Sequence, residues 1–205
     1  MSEFSIKSAD FEEGGEIPKK CGYKHGNANP HLNILKPAEA RSIALIMDDP
    51  DAMGPAGKVW VHWVMYDIDS FSRFNNLHNV TIPFTGDPVT KPLTLKSWNA
   101  TANASAKVYQ EALKASNEII KASQNSRHGE NHVGAKVGVN DFGEFDYGGP
   151  APPDKRHTYI FKAYALDIAH LELPQFDHPG TKKDVEVAMK GHIIAEAKLT
   201  GTFAP

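Results

Sequence analysis

Ser42-Ile43-Ala44-Leu45-Ile46-Met47-Asp48-Asp49-Pro50-Asp51 is the stretch that decides how this chain is read. An apolar run of strand length ends abruptly in three carboxylates and a proline. After a short turn comes VWVHWVMYDI (residues 59–68), crowded with β-branched and aromatic side chains. Both segments read as central strands. Carboxylates gathered at a strand end repel one another unless a cation, a proton or a ligand compensates them, so this junction marks a pocket.

A third strong run, HTYIFKAYAL (residues 157–166), alternates Tyr159, Phe161, Ala163 and Ala165 with Thr158, Ile160, Lys162 and Tyr164, the period of a strand. Residues 1–40 are punctuated by Gly14-Gly15, Ile17-Pro18, Gly26-Asn27, Asn29-Pro30 and Lys36-Pro37, turn signals between short strands. The fold class expected is mostly β. Two segments depart from it. Over residues 105–122, Val108, Ala112, Ala115 and Ile119 form an apolar stripe opposed by Lys107, Glu111, Lys114 and Glu118, which predicts an amphipathic helix inside an insertion at about residues 100–130. Near the C-terminus, Thr181-Lys182-Lys183-Asp184 resembles a capping box, and Val185, Met189, His192, Ile193 and Leu199 share one face, which predicts a helix ending before Gly201.

A length of 205 residues allows one sizeable domain, 1–205, and requires no second. With 25 acidic and 22 basic residues the net charge is −3, and the lysines are scattered, which disfavours a nucleic-acid partner. The one cysteine, Cys21, excludes an internal disulfide. Met1-Ser2-Glu3-Phe4-Ser5 lacks the basic and apolar regions of a secretory signal, and no apolar run approaches the roughly 20 residues of a membrane span. A cytoplasmic protein is the expectation, although a processed exported form would look the same.

Asp49, Asp51, His62 and His157 admit four readings. Two carboxylates and two imidazoles suit a transition metal in a hydrolase, but no His-x-x-x-His or His-x-His grouping supports it. Asp49-Pro50-Asp51 imitates the start of an aspartyl phosphatase, yet Ala52-Met53-Gly54-Pro55 follows where Thr or Val is wanted, and no βαβα alternation is present. His62 alone fits a satisfied core histidine. The fourth reading is a pocket for a small anion or zwitterion, in which imidazole N–H groups, the Tyr159 hydroxyl and amides near Gly148-Gly149 donate to phosphate or carboxylate oxygens. In it, Asp49 and Asp51 orient the imidazoles or accept from an ammonium. No serine, cysteine or lysine nucleophile stands beside the set, so binding outranks catalysis.

The order of these segments resembles the phosphatidylethanolamine-binding protein family, also called Raf kinase inhibitor proteins, in its prokaryotic-type branch. Asp49-Pro50-Asp51-Ala52 with Val61-His62-Trp63 is similar to one family signature, and Tyr147-Gly148-Gly149-Pro150-Ala151-Pro152-Pro153 with His157-Thr158-Tyr159 to the other. Gly138-Val139-Asn140-Asp141-Phe142-Gly143 and Gly191-His192-Ile193-Ile194-Ala195 are weaker marks. The resemblance implies a large central antiparallel sheet, a smaller sheet, a C-terminal helix and an anion pocket formed by Asp49, Asp51, Trp60, His62, Gly149, Pro150, His157 and Tyr159. It implies no catalysis and no cofactor, a phosphate-bearing head group as ligand, a protein kinase or protease as possible partner, and a monomer or homodimer. A regulator whose pocket serves only the fold is the alternative. The chain departs from the family pattern at Met53, where proline is usual, at Thr158 in place of arginine, in the short loop Asp154-Lys155-Arg156, and in the helical insertion.

Overall fold

A computed structural model describes residues 4–69, 79–82, 135–173 and 180–205. The helix expected over 105–122, with its insertion, lies outside the described residues.

The first two strands are β1 (Ser5–Ser8) and β2 (Leu32–Leu35), and the apolar run with its first two carboxylates is β3 (Ser42–Asp49). The aromatic run is β4 (Trp60–Asp69), followed by β5 (Asn79–Ile82) and the short β6 (Lys136–Val137). The chain closes with β7 (His157–Leu166) and β8 (Ile193–Phe203). Among the described residues these form two antiparallel sheets, one of five strands in the order β6-β4-β3-β7-β8 and one of three in the order β1-β2-β5. The mostly-β expectation holds.

All eight residues of β3 are buried, because the strand is central in its sheet and covered on both faces. Ile43, Leu45 and Met47 join Ile6, Leu32 and Ile34 of the small sheet in one apolar cluster. Ala44 and Ile46 point the other way, into a cluster completed by Val185 and Met189. Those last two residues belong to α2 (Lys182–Met189), whose Thr181 and Asp184 side chains cap it reciprocally. Burying a side chain of this size contributes about 1.5–3 kcal/mol, against about 1 kcal/mol for a cap. Packing therefore holds α2, and the cap fixes where it begins.

The expected C-terminal helix stops sooner than its apolar spacing suggested. It ends at Met189, Gly191 takes a left-handed φ of 89°, and the chain reverses into β8. In that strand Leu199, Gly201 and Phe203 are buried while Ile193 and Ile194 are exposed, so a period of two governs what looked like a helical face. Pairing with β7 from His157↔Phe203 to Leu166↔Ile193 outweighs the local pattern. A helix continued past Met189 would leave that edge of β7 unpaired.

Among the described residues no helix is long and apolar enough to cross a membrane.

Candidate functional site

Asp49 ends β3, and its Oδ1 accepts the amides of Asp51 (2.9 Å) and Ala52 (3.1 Å), capping the 3₁₀ turn Pro50–Ala52. A short helix, α1 (Met53–Ala56), follows and is closed by Gly57 with φ 71° before β4 begins. Met53, where the resemblance wanted proline, has φ −54° and donates its N–H to Pro50 O. Proline would accept that φ but lose the bond, so the turn is held by hydrogen bonding instead of by a ring.

One irregularity in β4 shapes the site. Met47 pairs with Trp63 and Asp48 with Val61, which makes His62 the extra residue of a β-bulge. A bulge re-aims side chains. Trp63 packs in the cluster beneath Met47, while the His62 ring meets Tyr159 edge-on at 5.1 Å and Phe142 at 5.4 Å.

The two histidines differ in their hydrogen bonding. His62 Nδ1 donates to Gly148 O at 2.6 Å, which leaves the lone pair on Nε2 when the ring is neutral. Burial pushes its pKa below the ordinary histidine value, despite the opposing pull of that carbonyl and of Asp49. His157 is held by two carboxylates, Nδ1 donating to Asp49 Oδ2 at 2.7 Å and Nε2 to Asp154 Oδ1 at 2.9 Å. Burial works against its charge, but the hydrogen bonds to Asp49 and Asp154 prevail and raise its pKa. One imidazole is thus poised neutral and the other cationic.

A cavity of about 210 Å³ opens over this pair, lined by Asp49, Trp60, His62 and His157, with Phe142, Ala151, Pro153 and the α1 residues Pro55 and Ala56 around them. The four expected residues Asp49, Trp60, His62 and His157 are therefore brought together. Asp51 is near but serves as a clamp, its Oδ2 accepting the Thr158 amide at 2.8 Å and tying the capped turn to β7. Tyr159 is fully buried beneath the imidazoles, and burial together with Asp49 keeps its phenol protonated far above the ordinary range.

Gly149 and Pro150 do not line the cavity. The expected loop donors are also committed elsewhere, for Gly148 N–H donates to His62 O and Gly149 N–H to Asn27 Oδ1. Gly149 matters by its size. A Cβ there would lie 2.1 Å from Cys21 O and 2.7 Å from Tyr23 N, so only glycine lets the two backbones touch.

Phe142, in the stretch Asn140-Asp141-Phe142-Gly143, is not among the expected site residues. Its ring stacks on Tyr23 at 4.2 Å and meets Trp60 edge-on at 5.4 Å, forming an aromatic wall. Asn140 shapes the turn that presents it, accepting the amides of Phe142 and Glu144. Asp154, which the sequence marks only as part of a short loop, is a further such residue, holding His157 Nε2 at 2.9 Å. Lys58 stands 5.0 Å from the Trp60 ring centre and 2.7 Å from Asp141 Oδ1, at the outer rim.

Among the described residues no group of three or more His, Cys, Asp or Glu side chains is arranged to hold a metal ion. None of the residues lining the cavity is a serine, cysteine or lysine. Cys21 is buried, and burial pushes its thiol up to about 12, so its thiolate is scarce near neutrality.

A two-sheet β framework carrying a small, partly aromatic pocket over paired acid and imidazole groups defines a class of β-rich proteins with a polar recess. The chain belongs to the phosphatidylethanolamine-binding protein family, whose sequence pattern matches residues 7–204, and it falls in the prokaryotic branch. It is 33% identical over 202 residues to a UPF0098 protein of Aquifex aeolicus, covering 97% of this chain and 86% of that one. It is 32% identical over 203 residues to a UPF0098 protein of Methanothermobacter thermautotrophicus, covering 97% of each. Its fold is similar to that of a phosphatidylethanolamine-binding protein homologue of Chlamydia trachomatis, with a TM-score of 0.66 and 26% identity over 98% of this chain and 97% of the other. Escherichia coli YbcL shares the fold at a TM-score of 0.66 and 22% identity, with 98% of each chain covered.

Proposed function

We propose that this chain binds a small ligand carrying a phosphate or carboxylate in the recess above Asp49 and His157, and breaks no bond in it. The observation that supports this is the buried Asp49–His157 ion pair, 2.7 Å long with side chains 4% and 1% exposed, opening on the same cavity as His62, whose pKa burial lowers. A buried pair of this kind contributes little net stability compared with apolar packing, which makes a binding role the better reason for it.

The electrostatics favour a zwitterion over a bare anion. Asp49 and Asp154 both hold His157, and Asp51 lies beside them on the Thr158 amide, so the surroundings are acidic overall. An anionic oxygen takes its bond from His157. An ammonium group takes the carboxylate side and the aromatic face of Trp60. His62, with its lone pair on Nε2, accepts a hydrogen from the ligand, as a protonated phosphate or an ammonium supplies. The volume, about 210 Å³, falls below the roughly 300–1,000 Å³ of drug-sized pockets. It suits a phosphoethanolamine-like head group and leaves no room for an acyl chain.

Titration calorimetry with phosphoethanolamine between about pH 5 and 8, around the reference histidine value, tests the reading. Affinity should rise as pH falls through 6.5, because the phosphate dianion takes up a proton near pH 6 while His62, its pKa lowered by burial, keeps the lone pair that accepts it. His157→Ala should abolish binding. Undiminished affinity in His157→Ala sinks the proposal.

A further inference from the structure

The hydrogen bonding of His157 is asymmetric in a way that bears on how a ligand enters. Both ring nitrogens are already donating to carboxylates, at 2.7 Å and 2.9 Å, so a ligand anion meets no unused donor on that ring. The two acceptors are held very differently. Asp49 is 4% exposed, and its other oxygen is fixed by the amides of Asp51 and Ala52. Asp154 is 49% exposed and sits in the loop between Pro153 and the start of β7. The loop's arginine is turned away, Arg156 reaching Glu16 at 3.5 Å and Thr202 Oγ1 at 3.2 Å.

We propose that Asp154 is a built-in occupant of the anion position: its carboxylate holds the outer nitrogen of His157 until a phosphate or carboxylate of the ligand displaces it. This rests on the binding function proposed above and assigns to that recess a means of selection. An incoming anionic oxygen replaces one carboxylate with another acceptor of like charge, so His157 keeps both its proton and a partner. A neutral or purely cationic ligand offers no such exchange and leaves Asp154 in place. The shortness of the loop makes the arrangement possible, since a spacing of three residues brings the Asp154 side chain back onto the ring. The half-exposed carboxylate is the exchangeable one because water solvates it once it swings out, whereas Asp49 would leave the buried Ala52 amide and the partly buried Asp51 amide without an acceptor.

The test uses the full chain and phosphoethanolamine, whose phosphate is the probe, with calorimetry on wild type, Asp154→Ala and His157→Ala at pH 6.5 and one ionic strength. Removing an exposed competing partner should tighten phosphoethanolamine binding about fivefold. In wild-type protein the ¹³C resonance of the Asp154 carboxylate should move as phosphoethanolamine saturates the site. Equal affinities in wild type and Asp154→Ala, with binding lost in His157→Ala, refute the internal occupant and leave the pocket standing. A tighter Asp154→Ala with an unmoved wild-type carboxylate resonance reports a field effect and refutes displacement. Phosphoethanolamine binding that survives in His157→Ala, or is absent from both wild type and Asp154→Ala, removes the binding function and this proposal with it.

Discussion

Replacing Asp49 by alanine removes three hydrogen bonds at once, and its cost can be worked from the geometry. Oδ2 holds the His157 imidazolium at 2.7 Å, while Oδ1 holds the amides of Asp51 and Ala52. Breaking a buried ion pair from one side costs about 3–5 kcal/mol, and the low end applies because Asp154 still engages the other nitrogen. Loss of the turn cap adds about 1 kcal/mol. Together about 4 kcal/mol is expected, a fall in Tm of about 8–16 °C for a chain of this size. The loss depends on pH with a definite sign. His157 has a raised pKa in the fold, so its contribution is complete below the unfolded value of about 6.5 and fades as pH rises through the folded value. The gap between wild type and Asp49→Ala should therefore be widest near pH 6 and narrower near pH 9, measured by urea denaturation at a series of pH values. A gap under about 1 kcal/mol at pH 6, below even the typical worth of one charged hydrogen bond, would refute the account of this ion pair. So would a gap that widens toward high pH.

His62 gives the opposite dependence. Its pKa is lowered in the fold, so its contribution is present above about pH 6.5 and lost as pH falls toward the folded value. His62→Asn, which keeps a donor for Gly148 O without a titrating ring, should lose less Tm than wild type between pH 7 and 5; parallel curves would show that His62 does not titrate differently in the fold. Gly149→Ala should cost more than about 3 kcal/mol, because the atoms it meets at 2.1 and 2.7 Å are backbone and cannot yield. Gly54→Ala, with nothing within 4 Å and a place in α1, is the control and should be neutral or stabilising by up to about 1 kcal/mol in the same thermal melts.

Both hydrophobic patterns and polar patterns were legible in the sequence, but to different depths. The run ending at Asp49, the aromatic run around His62 and the alternation from His157 each became a strand of the large sheet, and His157–Leu166 has the expected bounds. A period of two expresses burial on one face, which is a local property of neighbouring side chains. Ile193 and Leu199 misled because they stand four residues after Met189 and seven after His192, spacings that continue a helical stripe, and what chose the strand was the open edge of β7. For the pocket, the residue types at Asp49, Trp60, His62 and His157 were enough to nominate it. They could not show that Gly148 and Gly149 spend their amides on His62 and Asn27, or that Phe142 supplies a wall.

By itself the chain determined a β-rich protein of the phosphatidylethanolamine-binding family with acidic and imidazole groups held in reserve, since strand alternation and motif order are written residue by residue. Only the folded molecule decided their states. The bulge that turns His62 onto Tyr159, and the separate placement of Asp49 and Asp154 on the two nitrogens of His157, join positions as far as 108 residues apart. Protonation follows from burial and from partner distance, and neither quantity exists until the strands are paired.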